Sequence, residues 1–428
     1  MAGWEADVVV IGGGIVGCAT AYYLAKRGAR VTLLEKGPIA GEQSSRAWGF
    51  VRKQGRHPAE APLMLVASQV WGELDRELEA DVGFVRGGNL ALAETRADLD
   101  RLEAIHAADR AAGLNTRLVS PGDLPAIVKG IRGTWAGGLF SPDNGHAEPR
   151  LATEAFARAA ARAGARIETG CAALGLDLAN GRVSGVLTER GPIRTAGVVC
   201  AAGIWSPVVA RWAGLSLPCQ VVATSVAATA PVGPVTAAGV WGPHVAYRQT
   251  PGGAIYVGDG YRGAGSEYEV TLDSFRHLRL FYRNFLENRA SLRVRVGRAL
   301  LRDCWLAATG RRQIRRREHE PPPARWQIEL NLRHLRAEVP ALAEVKIERC
   351  WAGYIDLAPD LIPVLGPVER PAGFYLATDF SGHGFAMGPV AGKLLAEAIL
   401  DGRPSLDLRP FRFARFAEGD LAPARQAF

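Results

Sequence analysis

The chain has 428 residues, 48% of them hydrophobic and 22% charged, which excludes global disorder and exceeds what one core usually holds, so two packed domains are expected. Its formal charge of +8 favours anionic partners: acidic metabolites, lipid headgroups or nucleic acid. Six cysteines without a C-x-x-C pair exclude a disulfide framework or a structural zinc site, and read as reduced, mostly buried thiols of a cytosolic protein.

The first element is a strand, Asp7–Ile11, which starts too early to leave room for a signal peptide. Gly12-Gly13-Gly14-Ile15-Val16-Gly17 follows at once, then a helix from about Ile15 to Arg27 and a second strand, Arg30–Glu35. The physics of this unit is specific. Gly12 permits the tight turn, Gly14 lets backbone approach a pyrophosphate, and Gly17 lets the helix pack closely on the strand. The helix N-terminus offers free N–H groups and partial positive charge to phosphates. Glu35 ends the second strand where a ribose-binding carboxylate belongs. The unit predicts a bound dinucleotide and does not by itself separate FAD from NAD.

Amphipathic helices are expected over Arg96–Ala112 and Arg150–Ala163, with no chemistry assigned to them. Gly197–Ser206 reads as a buried strand ending in a small-residue turn. From Ala213 to Tyr247 the chain carries no Lys, Arg, Asp or Glu, but Pro218, Pro231, Pro234 and Pro243 argue against a membrane span and for strands and loops. Val245–Gln249 is a strand before a Pro-Gly-Gly turn. Between Asp273 and Arg317 lie Arg276, Arg279, Arg283, Arg289, Arg293, Arg295, Arg298, Arg302, Arg311, Arg312, Arg315 and Arg316, interleaved with Phe275, Leu278, Tyr282 and Phe285. These are either solvated helices whose arginine stems cover apolar surface or a cationic module that lies on anionic lipid. Glu320-Pro321-Pro322-Pro323 ends the module stiffly. Near the C-terminus, Phe374–Ala377 reads as a strand, Ser381–Pro389 as a second glycine-rich turn and Val390–Leu400 as a helix. Two such turns so far apart favour FAD, with the second helix N-terminus facing the flavin ring.

The N-terminal fingerprint, the AAGIWS turn and FSGHGF together resemble the flavoprotein family of D-amino acid oxidase, glycine oxidase and sarcosine oxidase. Glu35–Arg46 (EKGPIAGEQSSR) and Trp351–Asp360 look most like the bacterial L-amino acid deaminases. The resemblance implies non-covalent FAD. Gly12, Gly14, Ile15, Val16 and Gly17 would hold its pyrophosphate, with Glu35 and Lys36 at the adenosine ribose. Gly41, Gln43, Ser44, Ser45 and Arg46 would line the diphosphate and flavin edge. Ala202, Gly203 and Trp205 would border the flavin, and Gly382, His383, Gly384, Phe385 and Met387 would meet its ring. Ile355 and Asp356 replace the Arg-Pro with which the wider family clamps the substrate carboxylate. Arg248 is the replacement that the deaminases suggest; on position alone it reads equally as a strand-end surface residue. Tyr247 and His383 complete the candidate catalytic set, although His383 need not be a base. Cys350 does not align as a flavin attachment site.

The expected architecture is α/β. A Rossmann-like FAD domain takes 1–60, 150–220 and 345–428; a mixed-sheet substrate domain takes 61–149 and 221–344, with 273–323 as a basic insertion. The expected reaction is oxidative deamination of an L-α-amino acid to an imine and then a keto acid and ammonia. Oxidation of a D-amino acid or a secondary amine, and modification of tRNA, are the alternatives. The module lacks stacking aromatics, which argues against nucleic acid. Besides the amino acid, the partners implied are a peripheral membrane surface and a quinone or other electron acceptor, with the protein in the cytoplasm or on the inner face of the membrane and no transmembrane segment.

Overall fold

Val8–Ile11 is apolar at every position because it lies buried at the centre of a sheet covered on both faces. In this computed structural model, which describes residues 4–263, 266–289, 292–297, 300–301, 304–305 and 317–423, that sheet has six strands. Their order is Val364–Pro367, Phe374–Thr378, Gly197–Cys200, Val8–Ile11, Val31–Leu34, Arg166–Glu168, all parallel except the first. The helix Ile15–Lys26 packs between Pro149–Arg162 and the C-terminal helix Gly384–Leu400. A four-stranded sheet built on Ala173–Thr188 lies beside this unit.

The second layer is a ten-stranded mixed sheet that runs from Leu292–Arg295 to Arg117–Val119. The uncharged stretch supplies its strands Gln220–Thr229, Gly239–Trp241 and Val245–Gln249, and among the described residues no helix is long and apolar enough to cross a membrane. Ile347–Leu357 pairs with Gln220–Thr229 along nearly its whole length, so this strand, expected with the FAD domain, belongs to the large sheet. The helix Ala61–Leu78, expected with the substrate domain, packs on Gly384–Leu400 instead. Its Trp71 indole donates to Ala386 O at 2.8 Å, and Leu63, Met64 and Leu74 join the same core.

The C-terminal helix begins at Gly384 rather than Val390. Pro389 lies in its second turn, where the missing N–H removes one intrahelical bond, and the buried small residues around it let the helix pack closely enough to persist. In the basic module the described part forms helices Leu272–Arg276 and Leu278–Asn288 and the strand Leu292–Arg295. Arg298, Arg302, Arg311, Arg312, Arg315 and Arg316 lie outside the described residues.

Candidate active site

A cavity of about 720 Å³ runs from the first glycine turn to the C-terminal one, between the two sheets. At its first end Gly12 has φ +118°, and a Cβ there would meet Ala201 O at 2.2 Å. A Cβ on Gly17 would meet Gly12 O at 2.0 Å, so the helix can lie on the strand only with glycine at that position. Glu35 accepts from Gly13 N and from Gly37 N, both at 2.7 Å, which fixes its carboxylate at the cavity wall. Burial raises its pKa, against the pull of these two bonds. Ile15 N donates to Ser44 Oγ at 2.9 Å, joining the turn to the short helix Gln43–Arg46.

Gln43 links three segments of the wall: its Nε2 donates to Asp356 Oδ1 at 2.8 Å, and its Oε1 accepts from Ile204 N at 3.1 Å. Asp356 is thus a buried acid on the wall, its pKa raised chiefly by that burial. The end of the basic module reaches the cavity, where His319 lies on the wall. Arg317 pairs with Glu189 at 2.6 and 2.7 Å and its carbonyl accepts from Lys36 Nζ at 2.7 Å, while Glu320 pairs with Arg46 at 3.2 Å.

At the far end His383 is the N-cap residue of the C-terminal helix, with Nδ1 3.4 Å from Glu60 Oε1. Burial, and then the nearby Arg56, push the imidazole down to about 4, so it is neutral at neutral pH. Burial alone would raise Glu60, but His383 and Arg56 outweigh it and hold the carboxyl below its usual range. Arg52 and Arg56 line this end. Burial and the neighbouring Arg56 depress the pKa of Arg52, and burial brings Arg56 down to about 10. Trp48, Phe50 and Trp241 form an aromatic wall, with ring centroids 5.8 to 6.2 Å apart and the Arg52 guanidinium 3.9 Å from the Trp241 centroid.

The sequence matches the family described as DAO, FAD dependent oxidoreductase, over residues 7–398. The chain belongs to this family. An L-amino acid deaminase from Proteus myxofaciens, solved with anthranilate, superposes with a TM-score of 0.89 at 29% identity, over 96% of this chain and 94% of that one. The L-proline dehydrogenase of P. horikoshii gives a TM-score of 0.81 at 26% identity, over 98% and 100%. Among curated relatives, human mitochondrial sarcosine dehydrogenase is 26% identical over 96% of this chain, which spans only 41% of that protein. The sarcosine oxidase beta subunit of an Arthrobacter species is 27% identical over 97% of this chain and 92% of its own length.

The site of this FAD-dependent oxidoreductase fits its cofactor: a bare glycine turn at a helix start, an anchored acid for a ribose and a cavity long enough to reach the second helix terminus. Most of the residues expected at FAD lie on the cavity wall: Gly12, Gly14, Ile15, Val16, Glu35, Lys36, Gly41, Gln43, Ser44, Arg46, Ala202, Gly203, Trp205, Gly382, His383, Gly384 and Phe385. Gly17, Ser45 and Met387 stand behind it. Gly17 serves packing, Ser45 Oγ donates to Glu42 O at 3.1 Å, and Met387 is fully buried in the helix core.

Two expectations need correction. Arg248 and Tyr247 are both absent from the cavity wall. Strand alternation sends them to opposite faces, and each is already engaged. Tyr247 donates to Glu338 Oε1 at 2.7 Å on the far side of the sheet. Arg248 is fully buried, paired with Glu148 at 2.8 Å, hydrogen-bonded to Trp48 O and stacked 4.5 Å from the Tyr256 centroid, while its Nη2 is buried without an acceptor. Two of the arginines that line the cavity, Arg52 and Arg56, were missed. Their signal was present in the sequence: two arginines four apart, the first six residues past the end of the GEQSSR segment.

Proposed function

We propose that this enzyme oxidises the Cα–N bond of an L-α-amino acid, giving an imine that hydrolyses to a keto acid and ammonia. One observation carries the reading: a single cavity joins the dinucleotide turn to a pair of arginines beside the second helix terminus. Bound FAD supplies the two-electron acceptor for the Cα–H bond. The chain's own residues do the positioning. A guanidinium at Arg52 or Arg56 grips the carboxylate through its planar fork. The neutral His383 imidazole, held at Nδ1 by Glu60, lies on the cavity wall and can accept a hydrogen bond from the substrate amine. Trp48, Phe50 and Trp241 enclose the side chain and exclude water, so the reactive geometry is fixed at both ends. The deaminase likeness, 29% identical along almost the whole chain, supports the L-amino acid branch.

A second reading, oxidation of a secondary amine, is favoured by the sarcosine-type relatives, which match nearly all of this chain. Anaerobic addition of L-, D- and N-methyl amino acids separates the two. L-amino acids should bleach the flavin absorbance, with a keto acid and ammonia as products. Bleaching by N-methyl or D-amino acids alone would overturn the first reading. In the same assay Arg52→Met or Arg56→Met should weaken substrate binding by about 2–5 kcal/mol, which is more than tenfold. If Arg248→Met does so instead, with its FAD content intact, the anchor returns to the strand.

The basic module is read as a peripheral contact with anionic lipid at the cytoplasmic face, near a membrane electron acceptor. Phe275 and Leu278 are 60% and 59% exposed beside Arg276 and Arg279, which supports that reading.

A further inference from the structure

Five arginines line the cavity: Arg46, Arg52, Arg56, Arg211 and Arg276. Three have carboxylate partners in the protein, Arg46 with Glu320 and both Arg211 and Arg276 with Asp273. The fully buried Arg248 behind the wall has Glu148. Arg52 and Arg56 have no ion-pair partner among the described residues. Arg52 Nη1 reaches only Gln54 O at 3.4 Å, Arg56 Nε donates to Arg52 O at 3.3 Å, and Arg56 Nη1 is buried without an acceptor. The nearest acids are turned elsewhere. Glu60 serves His57 N at 3.2 Å and His383 at 3.4 Å, and Asp109 accepts from Gly55 N at 3.4 Å.

Two half-buried guanidiniums beside each other, with Glu60 and Asp109 near enough to act on them but neither in a direct ion pair, cost folding free energy that a ligand can offset by supplying anions. One α-carboxylate is matched by one planar fork. A monocarboxylic amino acid would therefore leave the second cation desolvated and unpaired.

Resting on the amino acid reading above, we propose that the substrate carries two acid groups: the α-carboxylate on one of Arg52 and Arg56, and a second acid, on the side chain, on the other. The aromatic wall beside Arg52 encloses the short apolar spacer between them.

The test uses the FAD-loaded enzyme and compares anaerobic flavin reduction by L-glutamate with L-glutamine and by L-aspartate with L-asparagine. Each pair shares its length and differs in the second charge. The diacid should reduce the flavin at least about tenfold more efficiently than its amide, since a site built to pair a group rejects the analogue lacking it. In Arg52→Met and Arg56→Met enzymes, checked for FAD content and melting temperature, one substitution should abolish reduction by acids and amides alike. The other should bring the acid-to-amide ratio to about one. Equal reduction by acid and amide in the unaltered enzyme overturns the proposal while leaving amino acid oxidation standing, and needs no variant to fold. Loss of acid and amide in parallel in both variants also overturns it, because both arginines then grip one carboxylate. If no amino acid reduces the flavin, the functional reading falls with it.

Discussion

Glu338 shows how single residues set the limits of this fold. Its carboxyl lies buried in the core of the large sheet, where it accepts from the Tyr247 hydroxyl, and burial lifts its pKa to about 7 despite that bond. Between the ordinary value of 4.5 and about 7 the unfolded chain gives up this proton while the folded chain keeps it. Stability from this group is therefore full at the acid side of that window and falls as pH rises through it. Glu338→Gln, which keeps an acceptor for Tyr247, should raise the melting temperature at pH 8 and leave it nearly unchanged at pH 4.5. The largest gain is on the order of 3 kcal/mol, read by thermal unfolding at the two pH values. A constant difference across pH would show that the residue acts through packing alone. The same burial keeps Tyr247, which looked catalytic beside Arg248, away from the cavity: its hydroxyl donates to Glu338, and burial raises its own pKa.

At the scale of elements, the crossing of Ile15–Lys26 with Gly384–Leu400 sets how the two glycine turns face one another. Gly392 makes that crossing possible, since a Cβ there would lie 2.6 Å from Thr20 N and 2.7 Å from Ala19 C. Gly392→Ala should force the helices apart, costing about 1–3 kcal/mol and loosening FAD, as a lower melting temperature and faster cofactor release would report. A protein that melts and retains FAD normally would show that the pair adjusts without disturbing the turns. These elements were legible in sequence because local chemistry specifies them: the glycine fingerprint, the apolar run Val8–Ile11 and the second glycine turn all declare their roles within a few residues. The allocation of Ala61–Leu78 and Ile347–Leu357 was not legible. A helix stripe or a strand alternation says which face is buried but not against what. The surroundings of the expected carboxylate anchor were not legible for a related reason. Arg248 stood at a plausible strand position, and its true partner, Glu148, is a hundred residues away in sequence and supplied by another element.

For the whole molecule, the arrangement places the basic helices at one end of the cavity, with Thr271, Leu272 and Arg276 on its wall and Phe275, Leu278 and Tyr282 turned outward. A surface of arginine and exposed apolar side chains should bind anionic vesicles at low ionic strength and release them near 1 M salt, where the screening length falls to about 3 Å. Co-sedimentation at the two salt concentrations measures this. No binding at low salt would mean that the arginines simply solvate the module.

The pairing of Gln220–Thr229 with Ile347–Leu357 has a consequence for descent. Thr229 pairs with Ile347 across the ladder, so the excursion from 230 to 346, which itself supplies five further strands of the large sheet, begins and ends at one pair of neighbouring strand ends. Material added or lost in the loops of such an excursion does not alter the register that carries Gly353 and Asp356 to the cavity. Doubling a flexible loop costs only about 0.6 kcal/mol in closure entropy. Lineages sharing this scaffold can therefore lengthen, shorten or recharge the excursion, changing what the enzyme docks against, while the cofactor wall and its chemistry pass down unaltered.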